Sequence, residues 1–193
     1  MTTQVLDTVR YCGDVHELVA SEGTGLFTPA EHGLSVVMAS TACWRGYRCS
    51  YAVAGAQLQL ETLEAKAGRY EGEDFRSVEL PAINGRAGAV AAGQPFNAVY
   101  ERLGLPVRFT GELLLGARPV AAVVARLGLA PAWIYERAWL LRFSDGAMAD
   151  EADLSEAMAA MRAQYLATGA MAAVPALQRP ELRWVVSSFL QQL

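Results

Sequence analysis

Apolar and polar residues alternate along several stretches of this chain, most clearly from Tyr47 to Thr62. Tyr47, Cys49, Tyr51 and Val53 share one face, and Arg48, Ser50 and Ala52 the other. Leu58, Leu60 and Thr62 then alternate with Gln57, Gln59 and Glu61. A period of two predicts half-buried strands. Gly55-Ala56 between them suits a two-residue turn with glycine first, where positive φ costs glycine little. That turn sets Val53 opposite Leu58, Tyr51 opposite Leu60 and Cys49 opposite Thr62, so both apolar sets meet on one face.

The same reading places other elements. Val5–Cys12 and Val15–Ala20 read as short strands joined at Gly13-Asp14. Thr28-Pro29-Ala30-Glu31 has the form of a capping box with proline at the first helical position, and Gly33 limits it to one turn. Val36–Ser40 reads as a strand leading into TACWRGY. Gly68 to Leu103 has no sustained period; Pro81–Gly85 within it is a turn, and GRAGAVAAG lacks the Gly-Lys-Ser/Thr ending of a phosphate loop. Val107 to Leu115 alternates again. Pro119 opens a predicted short helix with Val120, Val123, Val124 and Leu127 on one face. Trp133 to Phe143 returns to strand, with Trp133, Tyr135, Trp139 and Leu141 expected on its inward face. Helix is expected over Asp150–Thr168, with Leu154, Met158, Met161 and Tyr165 as its apolar stripe, and again over Glu181–Leu193.

Strands followed by helices, without βαβ alternation, predict an α+β fold: a mostly antiparallel curved β-sheet or partly open barrel, with one short helix and two C-terminal helices. The expected division is a β-rich domain over residues 1–147 and a helical extension over 148–193 packed on it.

Composition narrows the function classes. Hydrophobic residues make up 53% of the 193, enough for a substantial core, and charged residues only 19%. A net charge of −4 argues against nucleic-acid binding, which needs a concentrated basic surface. No apolar run reaches the roughly 18 residues of a membrane span. MTTQVLDTVRYCGD lacks the order of a signal peptide. With that, three cysteines, an odd number, predict free thiols and a cytoplasmic location.

Candidate chemistry is sparse. Cys49 lies on the apolar face of the hairpin, where cysteine behaves as a small hydrophobe. Cys43 sits in an irregular lead-in beside Trp44 and Arg45, and a thiol near an arginine can be a lowered-pKa nucleophile. Its potential partners are His16 and His32, and no local signature joins them. Cys12, His16, Cys43 and Cys49 have zinc-ligand types, but C-x3-H and C-x5-C match no standard knuckle. Glu71, Glu73 and Asp74 read as a solvated loop, and Asp150, Glu151 and Asp153 as a helix N-terminus. No catalytic residue, metal site or cofactor is therefore assigned. The aromatics around two strands serve packing or a ligand pocket. The candidate ligand-binding set is Cys43, Trp44, Arg45, Tyr51, Arg137 and Trp139; Arg137, an arginine among aromatics, either snorkels or meets an anion. The C-terminal stripe of Leu182, Val186, Phe189 and Leu190 either packs on the parent domain or forms a homodimer or partner contact; a membrane-surface role is disfavoured because Arg183 is that segment's only basic residue.

STACWRGY with its hairpin, PAING at 81–85, and LPVRFTG at 105–111 resemble the motifs of a group of small uncharacterised bacterial proteins. The resemblance covers about residues 34 to 147 and implies no activity or site residue. The leading expectation is a non-catalytic, protein-binding module of immunity or regulatory type. The alternatives are a small-molecule-binding curved sheet and a cysteine-dependent enzyme centred on Cys43.

Overall fold

The computed structural model describes residues 4–91, 93, 95–121 and 132–168. Its strands are β1 (Thr8–Tyr11), β2 (Asp14–Thr24), β3 (Tyr47–Ala54), β4 (Gln57–Ala65), β5 (Arg69–Glu71) and β6 (Asp74–Arg76). There follow β7 (Ala89–Val90), β8 (Ala98–Tyr100), β9 (Leu105–Pro106), β10 (Thr110–Pro119), β11 (Tyr135–Ser144) and β12 (Ala147–Asp153). Among the described residues the last element is the α-helix α1 (Ser155–Thr168).

The β3–β4 hairpin forms where its alternation predicts, with Val53 opposite Leu58 and Tyr51 opposite Leu60. Both turn residues take positive φ, 56° at Gly55 and 62° at Ala56, so Ala56 bears a left-handed backbone. Below Tyr51 the expected register fails. A bulge between Ser50 and Tyr51 sets Cys49 opposite Leu63 rather than Thr62. The extra residue changes the phase of β4, which brings Leu58, Leu60, Leu63 and Ala65 all to zero exposure. Strict alternation would have turned Leu63 outward.

A ten-stranded sheet runs in the order β12, β11, β10, β2, β1, β3, β4, β8, β7, with β9 also on β4. Among the described residues every pairing is antiparallel except β1 with β3. The sheet curves until β12, at one end, reaches β4: Ala147 of β12 pairs with Gln57 of β4. Leu58 N–H donates to the Gly146 carbonyl at 2.9 Å and Met148 N–H to the Ala56 carbonyl at 2.7 Å along this seam. Gly146 is required there, because a Cβ would lie 2.3 Å from the Val107 carbonyl oxygen and its φ is +83°.

The curvature encloses the main core, in which Val9, Leu63, Phe109, Leu113, Leu115 and Leu141 are buried together with Tyr51 and Tyr100. A second core lies on the other face of β10 and β11, where Leu114, Ala138 and Leu140 meet Leu154, Met158 and Met161 of the α1 region. The run Leu113-Leu114-Leu115 is thus buried on both faces, as strands covered on both sides are. Leu154 N–H donates to the Ala138 carbonyl at 2.8 Å, and Ala138 N–H to Ser155 Oγ at 3.2 Å. Arg162 Nη1 donates to the Trp133 carbonyl at 3.0 Å and to that of Tyr135.

Several expectations are corrected. Val36–Ser40 is no strand; it makes only isolated bridges, Val36 with Ala67 and Ser40 with Cys43. The helix begins at Ser155, not Asp150, because Ala147–Asp153 pairs with β11 across the expected domain boundary. Trp133 and Tyr135 do not share a face with Trp139 and Leu141. They lie in the outer core, Tyr135 over Gly116, while Trp139 packs on the inner one. Glu136 and Arg137 are both exposed, so the alternation breaks between them. The capping box gives a 3-10 turn, Pro29–His32, without a Thr28 side-chain cap. The helix expected after Pro119 lies, beyond Ala121, outside the described residues, as does all of Glu181–Leu193 with Leu182, Val186, Phe189 and Leu190.

Three substitutions test this architecture. Ala56→Gly should raise stability by about 0.5–1 kcal/mol by relieving the left-handed alanine. Leu114→Ser should destabilise as severely as Leu113→Ser, each by roughly 3 kcal/mol or more, measured by urea unfolding.

Candidate functional site

The lead-in to β3 is built around an acid on an apolar register. Val5, Asp7 and Val9 alternate, so Asp7 points inward with Val9 and is only 6% exposed. A carboxylate so placed needs partners. Arg45 supplies them: Nη1 donates to Oδ2 of Asp7 at 2.8 Å and Nη2 to Oδ1, a two-pronged contact. Cys49 N–H adds a third donor to Oδ1 at 2.6 Å. Arg45 Nε donates to the Tyr47 carbonyl at 2.8 Å, and its guanidinium lies 4.7 Å from the centre of the Tyr47 ring. Burial opposes the Arg45 charge, yet the Asp7 carboxylate holds its pKa above the ordinary value.

Glycine makes this loop possible. At Gly46 φ is +79°, and a Cβ would lie 2.1 Å from the Val37 carbonyl oxygen. Trp44 is the opposite case, a large aromatic 71% exposed. Its orientation is nevertheless fixed, since Nε1 donates to the Thr41 carbonyl at 2.8 Å.

Trp44, Arg45 and Cys43 line a concavity of about 650 Å³. Its other walls are Gln4–Asp7, Leu18–Ser21 of β2, and Leu26. Of the six ligand-binding candidates read from sequence, these three meet. The other three do not join them. Tyr51 is 2% exposed in the inner core, and burial raises its pKa well above the ordinary value. Trp139 packs edge-to-face on Tyr11, ring centres 5.6 Å apart. Arg137 is exposed and lies 3.9 Å from Asp14. It is a surface side chain, not a pocket residue.

Asp7 and the β2 wall were missed by sequence reading. The signal for Asp7 was present: an acid in phase with Val5 and Val9, in a chain with an arginine-bearing loop. The β2 wall had none, because which edge of a strand stays open is a property of the whole sheet.

Two of the three thiols, Cys43 and Cys49, are buried, and Cys12 is exposed. Cys43 is 2% exposed and Sγ donates to the Tyr47 carbonyl at 3.5 Å. Cys49 is fully buried, and burial first, then Asp7, pushes its thiol pKa up. The histidine rings pack elsewhere, His32 stacked on Phe27 at 4.7 Å and His16 beside Tyr11 at 6.4 Å. Among the described residues no three of His, Cys, Asp and Glu group as metal ligands. No helix among them is long and apolar enough to cross a membrane.

A second polar cluster lies near β1. Tyr11 Oη donates to Glu151, and burial together with that bond raises its pKa. His16 is 2% exposed with Nδ1 unpartnered. Burial lowers its pKa, opposed in part by Asp14.

The chain matches no family model, no curated protein and no solved structure. Function is therefore argued from the geometry alone.

Arg45→Ala should cost about 2 kcal/mol; a buried pair broken on one side costs about 3–5, but Arg45 is 38% exposed. Asp7→Ala should cost at least as much, because it also orphans the Cys49 N–H. His16 is held neutral in the folded chain, whereas the unfolded chain takes up a proton below the ordinary value of 6.5. Stability should thus fall as pH drops below 6.5 and level off once the folded His16 itself titrates. In His16→Leu the urea midpoint should change less between pH 7.5 and 5.5 than in the wild type.

Proposed function

We propose that this protein is a non-catalytic binding module, regulatory or immunity-type, that holds a protein partner in the concavity beside Trp44. The observation that carries this reading is Trp44 itself, 71% exposed at the rim of a 650 Å³ concavity and locked by its bond to Thr41. A rigid, solvent-facing tryptophan costs apolar exposure in the free chain and little ordering entropy on binding. Such residues dominate the energetics of protein interfaces. Arg45 beside it keeps two of its five N–H groups for a partner, the other three being taken by Asp7 and Tyr47. In this reading the curved sheet is a partly open barrel, and the concavity is a gap in its wall.

The volume also lies within the range of small-molecule pockets, about 300–1,000 Å³. That alternative relied on Trp44, Tyr51, Trp139 and Arg137, and of these only Trp44 lines the concavity. The protein-partner reading needs only the residues that do gather there.

The test is selection of linear peptides from a random display library on the immobilised chain. Selected peptides should bind Trp44→Ala at least tenfold more weakly than wild type, while Trp139→Phe binds normally. Trp44→Ala should melt at the wild-type temperature, since an exposed side chain contributes little to folding. Binders indifferent to Trp44 would sink the proposal.

A further inference from the structure

We infer that the concavity takes its partner as an added β-strand: an extended, basic segment of another protein laid along the open edge of β2. This rests on the binding role proposed for Trp44 and names what binds there.

β2 is eleven residues long, but its neighbour β1 pairs only with Asp14–Glu17. One more bond, from Leu18 N–H to the Asp7 carbonyl at 2.8 Å, ends that pairing. Beyond it, among the described residues, Ala20–Thr24 has strand pairing on the β10 side alone, and Val19 is the extra residue of a bulge, since Leu115 pairs with Leu18 and Leu114 with Ala20. The cause is the path of the preceding chain. Val5 N–H donates to the Ala42 carbonyl at 2.7 Å and Gln4 Nε2 to that of Thr41 at 3.0 Å, which draws Gln4–Leu6 away toward the Trp44 loop. The divergence opens the concavity, with Val19–Ser21 on one wall and Leu6, Trp44 and Arg45 on the other.

Successive residues of a strand send their backbone N–H and C=O to opposite sides. About half of those groups on Ala20–Thr24, past the bulge, therefore face away from β10. A row of backbone donors and acceptors at strand spacing is complementary to another extended backbone and to no compact small molecule. Natural sheets block such edges with proline, charged side chains, bulges or short length; here the bulge is confined to Val19 and the one charge is Glu22. VASEGT contains no proline or lysine, and Ser21–Thr24 is exposed.

Charge selects the partner. The Glu22 carboxylate makes no ion pair or hydrogen bond among the described residues. Its cross-strand neighbour on β10 is Glu112, whose charge is already met by Arg142 at 2.6 Å. An unpaired carboxylate on an open edge, in a chain of net charge −4, favours lysine or arginine opposite it. It also disfavours a second copy of this chain, whose edge would bring the same acid.

The experiment uses the full chain and the peptides selected on it, resynthesised with an N-methyl group at each position in turn. Strand addition predicts that N-methylation weakens binding at least tenfold at alternate positions and has little effect between them. Binding should slow amide exchange within Val19–Thr24 and shift Trp44 emission to the blue. Glu22→Lys, an exposed substitution, should keep the wild-type melting temperature yet lose basic peptides by tenfold or more. Trp44-dependent binding without the alternating N-methyl pattern, or without protection of Val19–Thr24, overturns strand addition and leaves the binding role intact. Binding indifferent to Trp44, or no selectable peptide, overturns both. A concentration-dependent dimer that protects the same amides assigns the edge to a second copy and overturns the basic partner.

Discussion

Asp7 is the point on which this structure turns. Its carboxylate lies almost wholly out of water where β1 and β3 meet in the sheet's one parallel pairing, and three donors converge on it, two from Arg45 and the Cys49 N–H. Parallel neighbours cannot be joined by a tight turn, so the link between β1 and β3 depends on contacts between distant parts of the chain. The ion pair supplies one that is directional as well as attractive. It also anchors the TACWRGY loop: Arg45 turns in to Asp7, while its neighbour Trp44 points outward, bonded to the Thr41 carbonyl. The same group that satisfies the core therefore presents the surface feature on which the functional proposal rests.

The second organising constraint is two-sided burial of β10 and β11. Their inner residues complete the enclosed core and their outer residues seat α1.

What could be read from the chain beforehand follows from the range of each effect. The β3–β4 hairpin was legible down to Tyr51 because turn chemistry and alternation are local, and both act within Val53–Leu58. The bulge at Ser50 was not, because it serves to bring Leu63 against a core contributed by β8 and β10. Leu154, Met158 and Met161 were legible as a helical stripe, but Ala147–Asp153 was mistaken for the start of that helix. Its acids Asp150 and Glu151 looked like N-terminal helix charges and are instead strand residues bonded to Arg142 and Tyr11. At the site, Trp44, Arg45 and Cys43 stood out as residues that scaffold demands did not explain. Their partners Asp7 and the β2 wall arrive from some 20 to 40 positions away, beyond the reach of any local pattern.

The seam between β4 and β12 carries a consequence for how the chain comes to be folded. Its two sides are separated by about ninety residues, the span from Gln57 to Ala147. A ribosome delivering the chain from its N-terminus completes the β3–β4 hairpin long before β12 exists. Until then the far end of β4 near Gln57 lacks its neighbour. Closure is thus a late, non-local event, of the kind that slows the folding of β-rich proteins. The nascent chain passes through a stage with an uncovered strand tip, and the polar residues Gln57 and Gln59 near that tip suit a segment that must wait in water.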